Sequence, residues 1–332
     1  MDVLRIKYDI YLYTNEGEKI TLNNLVQSAT LEEQKGQLAQ KASLTLYNKV
    51  ISGVRISSKL KLCNKIFVYA DGKELFRGTI WEWNPEEENQ SRIVSIIAYD
   101  NLIFLQKSRY HKYFSAGTST RSIVDNCAAD QGIVLDYRWA EISHAKKPYQ
   151  NQYLSDIILD ALEDVRKQVN SKYVVRSEQD VMVVDQPGTN TEIYLFDGSN
   201  TMTISTRITM DGLLTRVAVY GKRDDDGRSS VEATVVGDTR YGTLQAVIYR
   251  DENQSIQEAK SEAQTLLDEH KKPEETRTVK LPNVPFIRKG DRIKMNAGSM
   301  NGYYQVIGTL HNIDTKTMTL NLEPYEGTVE LI

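Results

Sequence analysis

The sequence predicts a mainly β protein with an α+β insertion: two small β-barrels or sandwiches flanking a compact module. Three observations carry this. First, a block is written twice. Gly72-Lys73-Glu74-Leu75-Phe76-Arg77-Gly78-Thr79-Ile80 is answered by Gly302-Tyr303-Tyr304-Gln305-Val306-Ile307-Gly308-Thr309-Leu310. Upstream, Ser58-Lys59-Leu60-Lys61-Leu62 aligns with Asp291-Arg292-Ile293-Lys294-Met295; downstream, Val94, Ile96 and Tyr99-Asp100 align with Leu320, Leu322 and Tyr325-Glu326. So wide a separation predicts two copies of one domain rather than a solenoid. Second, both ends of the chain alternate apolar and polar residues between Gly, Asn and Asp turns. Third, the period changes in the middle: Leu154, Ile157, Ile158, Ala161, Leu162, Val165 and Val169 form one helical face. The expected division is a first β unit over 1–110, the insertion over 111–200, and a second β unit over 201–332 with a flanking helix at about 255–270.

In the first unit, Leu4, Ile6, Tyr8, Ile10 and Leu12 alternate as a half-buried strand, with Asn15-Glu16-Gly17 as its turn. Residues 26–34 and 41–47 read as a hairpin around Lys35-Gly36-Gln37. Residues 59–69 read as strand up to Asp71-Gly72, and 75–83 and 92–98 flank the polar tip 84–90. In the insertion, Ser119 or Thr118 caps a helix whose face is Ile123, Val124, Cys127 and Ala128, stopped at Gly132. A short strand follows at 133–137, then the helix 155–169, then a strand pair around 177–180. In the last part, strands resume at 203–205 and 215–220, and 222–228 reads as a solvated tip. Ser255-Ile256-Gln257-Glu258 is a capping box opening the flanking helix.

Composition narrows the function. The 332 residues are 40% hydrophobic and 26% charged, with a net charge of −4, so the chain can bury cores, and the balance argues against a protein whose main business is gripping nucleic acid through phosphates. Cys63 and Cys127 make no disulfide framework and no zinc spacing, which points to a reducing compartment. The N-terminus lacks the pattern of a signal peptide, and no apolar run reaches the roughly 20 residues that span a bilayer. Tyr outnumbers Phe by 19 to 6, which suits half-buried strands and subunit contacts with one wet edge.

No catalytic, metal or cofactor site is expected. His111, His144, His270 and His311 show no ligand spacing. Cys127 lies on an apolar helix face and reads as core. Asp224, Asp225 and Asp226 lack the spacing of a calcium loop, and Glu86, Glu87 and Glu88 likewise read as a solvated tip. The glycines sit at turns, with no phosphate loop; the many carboxylates leave a glycosidase pair open by count alone. Trp81 and Trp83 are the more informative residues. Strand alternation places them on one face with Thr79, and His311 and Ile313 are their counterparts in the second copy. That face either packs within the subunit or forms a subunit contact; these four residues are the candidate interface.

The chain resembles the baseplate hub proteins of contractile phage tails, defective prophages and contractile bacteriocins. The resemblance is carried by Phe76-Arg77-Gly78-Thr79-Ile80 leading to Ala98-Tyr99-Asp100 with Leu102 and Leu105, by Ser119-Thr120-Arg121-Ser122-Ile123 and Tyr153-Leu154-Ser155-Asp156, by residues 255–267, and by Gly290-Asp291-Arg292-Ile293, Gly302-Tyr303-Tyr304-Gln305-Val306 and His311-Asn312-Ile313-Asp314. It covers nearly the whole chain, and order and spacing carry it more than any one motif. It implies two tail-tube-like β-barrels per subunit in a homotrimer, a pseudo-hexameric ring between the hexameric tail tube (or a tube-initiator protein) and a trimeric central spike. A tape-measure protein and a baseplate adaptor are further implied partners, with no membrane and no sequence-specific nucleic acid. The implied place is a phage tail or bacteriocin particle assembled in the bacterial host cytoplasm. Two other readings stand beside this structural one. A tail-tip cell-wall hydrolase calls for a paired acid and base or a metal cluster. A sugar- or receptor-binding β module calls for aromatic platforms on exposed loops.

Overall fold

In the computed structural model the strands of both copies run into one sheet. Residues 3–51, 53–88, 91–223, 227–250 and 254–325 are described; the expected tip residues Asn89, Gln90 and 224–226, and the repeat's end at Glu326, lie outside them. The fold is mainly β with an α+β insertion, as the alternation and the helical stretch predict. In the first β unit the sheet runs Lys19–Thr21, Tyr8–Tyr13, Lys65–Ala70, Lys73–Glu88, Ser91–Tyr99, Lys41–Tyr47, Val26–Glu33. It continues into the second through Met300–Asn312, Thr317–Pro324, Glu274–Pro282 and Thr203–Thr209, with Arg292–Ala297 and Leu195–Asp197 beside Met300–Asn312. Alternate side chains fill one core per unit. Ile66, Val68, Ile80, Leu44, Leu46, Val94 and Ile96 belong to the first; Val279, Leu281, Ile293, Met295, Val306, Leu320 and Leu322 belong to the second.

The duplication is visible in the hydrogen bonds, at a different register from the one the glycines suggest. In the first copy Lys61 N donates to Asn64 Oδ1 (2.7 Å), and Cys63 and Asn64 bracket Ile80 through Cys63 N to Ile80 O (3.2 Å) and Ile80 N to Asn64 O (2.8 Å). In the second, Arg288 N donates to Asp291 Oδ2 (2.8 Å), and Gly290 and Asp291 bracket Val306 in the same way (2.8 Å each). Cys63 and Gly290 both have positive φ, 68° and 95°. Each long strand, Lys73–Glu88 and Met300–Asn312, then carries a bulge, at Trp81 and at Ile307. The structural correspondence is therefore Asn64 with Asp291, Ile80 with Val306, Trp81 with Ile307 and Trp83 with Thr309.

The sequence alignment of Gly78 with Gly308 is displaced by several residues because the two glycines do different work. A Cβ on Gly78 would lie 2.4 Å from Tyr99 O; on Gly308 it would meet Glu33 O at 3.1 Å. The aligned stretch 58–62 is also not strand. It is a helical turn, Ile56–Lys59, and a loop, which bury Ile56 and Leu60 at i and i+4. Likewise the start of the chain is a 3₁₀ turn at Val3–Arg5 before strand Tyr8–Tyr13.

The insertion packs helices Thr120–Ala129 and Leu154–Val169 on the sheet Val134–Tyr137, Val181–Asp185, Val174–Glu178. Ser119 caps the first helix, accepting from Ser122 N, and Asn170 ends the second in the left-handed region at φ 49°. Its core takes in Leu102, Ile103 and Leu105 from the end of the first β unit. Residues 205–277 form a separate compact unit, interrupting a region that the sequence reads as second-unit strands plus a helix. There Arg216–Arg223 pairs with Ser229–Val236 and, in parallel, with Gln245–Tyr249. The helix Ile256–His270, opened by the Ser255/Glu258 capping box, buries Ala259, Ala263 and Leu267 against Val217 and Val219.

Candidate assembly interface

Val26–Glu33 pairs antiparallel with the second long strand, Thr309 opposite Glu33, Leu310 opposite Glu32, His311 opposite Leu31 and Asn312 opposite Thr30. This joint turns two sheets into one. It ends with Ile313 N donating to Ala29 O (2.9 Å) and Ala29 N to Asp314 Oδ1 (3.1 Å). Its other end holds a buried charge cluster. Glu33, 3% exposed, receives Arg288 Nε (2.9 Å), Arg288 Nη2 (2.8 Å) and Lys289 N (3.0 Å). Burial alone would raise the Glu33 carboxyl; Arg288 and Lys289 override it and hold it at about 2. Lys289 Nζ reaches Gln37 O (2.6 Å), and Arg176 from the insertion binds Asp291 Oδ1 (3.0 Å). Burial pushes Asp100 up to about 7, although Gln40 N and Leu102 N both donate to it. Sequence reading missed this cluster. Its visible trace was a charged pair, Glu32-Glu33, ending an otherwise alternating strand.

The four sequence candidates separate. His311 and Ile313 lie inside the chain's own joint. His311 is buried, with Nε2 2.9 Å from Ile287 O and Nδ1 beside the Asn283 amide; burial lowers its pKa to about 4. Ile313 is part of the first unit's core. Trp81 and Trp83 lie on the other long strand, and the bulge at Trp81 puts them on opposite faces instead of the shared face that alternation predicts. Trp83 packs on the first core. Trp81, 39% exposed, stands edge-on to Tyr99 and Phe104. His311 and Ile313 are not their structural counterparts; Ile307 and Thr309 are.

Two arrangements with the outline of chemistry are structural. A cleft of about 650 Å³ is lined by Arg77, Arg138, Arg176 and Arg288. Each is paired: Arg77 with Glu74, Arg138 with Asp136, Arg176 with Asp291 and Arg288 with Glu33. In the insertion, His144 Nε2 is 2.8 Å from Thr120 Oγ1 and its Nδ1 is 3.2 Å from Asp164 Oδ2. That order imitates a hydrolase triad, but Thr120 is fully buried and its hydroxyl is held by the Ile142 backbone, so no substrate reaches it. Cys127 is buried in the same core, and burial pushes its thiol up to about 12. Among the described residues no helix is long and apolar enough to cross a membrane.

The chain is similar to the Bacillus subtilis (strain 168) phage-like element PBSX protein XkdQ, 22% identical over 318 residues, which span 91% of this chain and 95% of that one. Among solved structures it is similar to the 43 kDa tail protein of prophage MuSo2 from Shewanella oneidensis, with a TM-score of 0.70 at 12% identity over 96% of this chain and 98% of that one. It is also similar to the E. coli c3393 protein, described as a type VI secretion component with structural similarity to T4 tail proteins gp27 and gp5; there the TM-score is 0.55 at 10% identity, over 91% and 74% of the two chains. The sequence model of one family matches residues 29–323, and the chain belongs to that family, the YQBQ-like proteins.

Proposed function

We propose that this protein is a structural hub of a contractile tail or related injection device, a non-enzymatic trimeric ring joining the hexameric tube to the trimeric spike. One observation carries the reading: two β units with the same hydrogen-bonded frame stand edge to edge in one sheet. Three such chains offer six quasi-equivalent β units to a six-fold tube while keeping three-fold symmetry for a spike. The names of the relatives, a phage-like element protein, a prophage tail protein and a secretion component likened to gp27 and gp5, support it. In this reading 1–110 supplies one tube-like barrel, 201–332, interrupted by the separate unit 205–277, supplies the other, and 111–200 is the insertion between them. A tube or tube-initiator protein, spike, tape-measure protein and baseplate adaptor are the partners, and assembly takes place in the host cytoplasm.

The test is the copy number of the chain in purified tails, read by cryo-EM. Three copies with both β units lining one channel are expected; two or six would overturn the ring. Peptidoglycan zymography of the purified chain should show no clearing. Clearing abolished by a carboxylate substitution would move the reading to a tail-tip hydrolase.

A further inference from the structure

The separate unit, residues 205–277, covers one face of its sheet and leaves the other bare. Val217 and Val219 of the central strand Arg216–Arg223 point to the helix Ile256–His270, which lays Ala259, Ala263 and Leu267 on them. The alternate residues Arg216, Ala218 and Tyr220 point the other way. There the register sets Val236 beside Arg216, and Thr234 and Val247 on either side of Ala218. Tyr249 stands beside Tyr220, the ring centroids 6.0 Å apart. On this face Val236 is 59% exposed, Val247 44% and Tyr249 60%. Such exposure is at odds with the strand pairing. Arg216–Arg223 and Gln245–Tyr249 run parallel, and parallel pairs are as a rule covered on both faces, by helices.

A second observation says what the missing cover carries. Arg216 Nε is buried with no hydrogen-bond partner, and among the described residues no ion pair engages this side chain. By contrast Arg207, Arg240 and Arg250 of the same unit hold Asp211, Asp238 and Glu232. Val236 and Gln245, abreast of Arg216, are uncharged, and no carboxylate stands in the rows of Ala218 and Tyr220. A second copy laid on the chain by this same face would therefore bring Arg216 no anion. The bare face is apolar with one uncompensated cation, and its complement is apolar with one anion.

We propose that this face seats a helix of another protein of the particle, apolar along one side and carrying a carboxylate that meets Arg216. The inference rests on the hub reading for the particle and adds to it a partner surface on the separate unit. A helix fits in length. From Arg216 to Tyr220 the central strand rises about 13 Å, about two and a half helical turns. An apolar stripe at i, i+4 and i+8 covers that span, as Ala259, Ala263 and Leu267 do on the opposite face. Ala218, the smallest side chain on the bare face, is at its centre, where the helix approaches the strand most closely. At one end the carboxylate accepts from the Arg216 guanidinium and gives Nε the bond it lacks. That contact also fixes which way the helix runs, since the apolar residues alone accept either direction.

The test places a benzophenone-bearing photo-cross-linking residue at Val247, and separately at Tyr249, of the full chain assembled into tails. Mass spectrometry of the purified, irradiated tails is expected to map both adducts to a second tail protein. The adducts should fall three or four residues apart in one helical stretch that contains an Asp or Glu. Arg216→Glu should then cut the adduct yield by at least roughly tenfold, in line with loss of a charge-assisted hydrogen bond. Changing the partner's acidic residue to Arg should restore it. The denaturant midpoint of the isolated Arg216→Glu chain should match its parent, because the helix-side core is untouched; if it does not, Arg216→Gln takes its place, with the same direction expected. Adducts confined to this chain or its other copies, no adduct in three-copy tails, or a yield indifferent to Arg216 would each overturn the seat and leave the hub standing. Tails with another copy number, or without the chain, would remove the hub reading and this inference together.

Discussion

The two β units close the same turn with opposite chemistry. In the first, Asn64 holds Lys61 N through a neutral amide, and the Lys61 side chain reaches Glu16 at the surface. In the second, Asp291 holds Arg288 N, and the Arg288 side chain runs inward to Glu33, whose side chain is 3% exposed. Backbone geometry is the same in both, so the frame does not require charge. Charge enters where a strand from the other unit lies across the turn. The comparison separates what folds a unit, a bracketed strand and a bulge, from what fastens one unit to the next.

Arg288→Ala is the substitution that breaks the comparison hardest. It leaves Glu33 buried without its partner, and loss of one member of a buried pair costs about 3–5 kcal/mol. Denaturant midpoints should show it, while Lys61→Ala at the twin position should leave the midpoint nearly unchanged, because its pair with Glu16 is exposed. Similar losses at both sites would refute the distinction. Acid titration gives the same contrast a sign. The folded Glu33 pKa, about 2, is below its ordinary 4.5, so its stabilisation is complete above 4.5 and is lost as pH falls through about 2. Asp100 runs the other way. Its folded pKa, about 7, exceeds the ordinary 3.8, so its contribution is greatest below 3.8 and declines as pH rises towards 7. Asp100→Asn should flatten the slope between pH 4 and 7 and leave the limb below pH 4 in place.

The division into β units and a helical insertion was legible because alternation and the 3.6 period report which face is buried, whichever strand lies alongside. Ser119, Ser255 and Glu258 were legible as caps because capping is local. Register was not. Two Gly-Thr-aliphatic triplets looked equivalent, yet Gly78 makes room for Tyr99 O and Gly308 lies against Glu33 O, contacts set by residues far along the chain. The bulge that parts Trp81 from Trp83 is likewise invisible to period-two counting, since it inserts one residue without changing the residue types around it. Glu33 and Arg288 are 255 residues apart, and a surface Glu and a surface Arg look the same in sequence as a buried pair.

Gly78→Ala against Gly308→Ala sharpens the register. At Gly78 the new methyl would sit 2.4 Å from a carbonyl oxygen of the paired strand, which cannot swing aside; at Gly308 the nearest atom is at 3.1 Å and yields by a few tenths of an ångström. Overpacking of the first kind costs about 1–3 kcal/mol, and the second should cost clearly less. Equal losses, measured by urea unfolding, would mean that the two glycines are equivalent after all and that the bulge-based register is wrong.

The smallest effect tests the turn itself. Cys63 holds a left-handed backbone, φ 68°, at the position where the second unit has Gly290, φ 95°. A residue with a Cβ loses roughly 1–2 kcal/mol in that region, and glycine gives back part of this as unfolded-chain entropy. Cys63→Gly should therefore leave stability unchanged or raise it by up to about 1 kcal/mol. Gly290→Ala should lower it, because φ is unfavourable and the new Cβ would meet Val174 Cγ2 at 2.7 Å. The asymmetry has a reason in the joint. Val174 of the insertion presses against the turn at Gly290 and leaves no room for a Cβ, whereas Cys63 carries its Cβ at φ 68° at the cost of backbone strain. If Cys63→Gly instead destabilises the chain by more than Gly290→Ala, the exposed turn is fastened by something its twin lacks, and the two units do not share one frame.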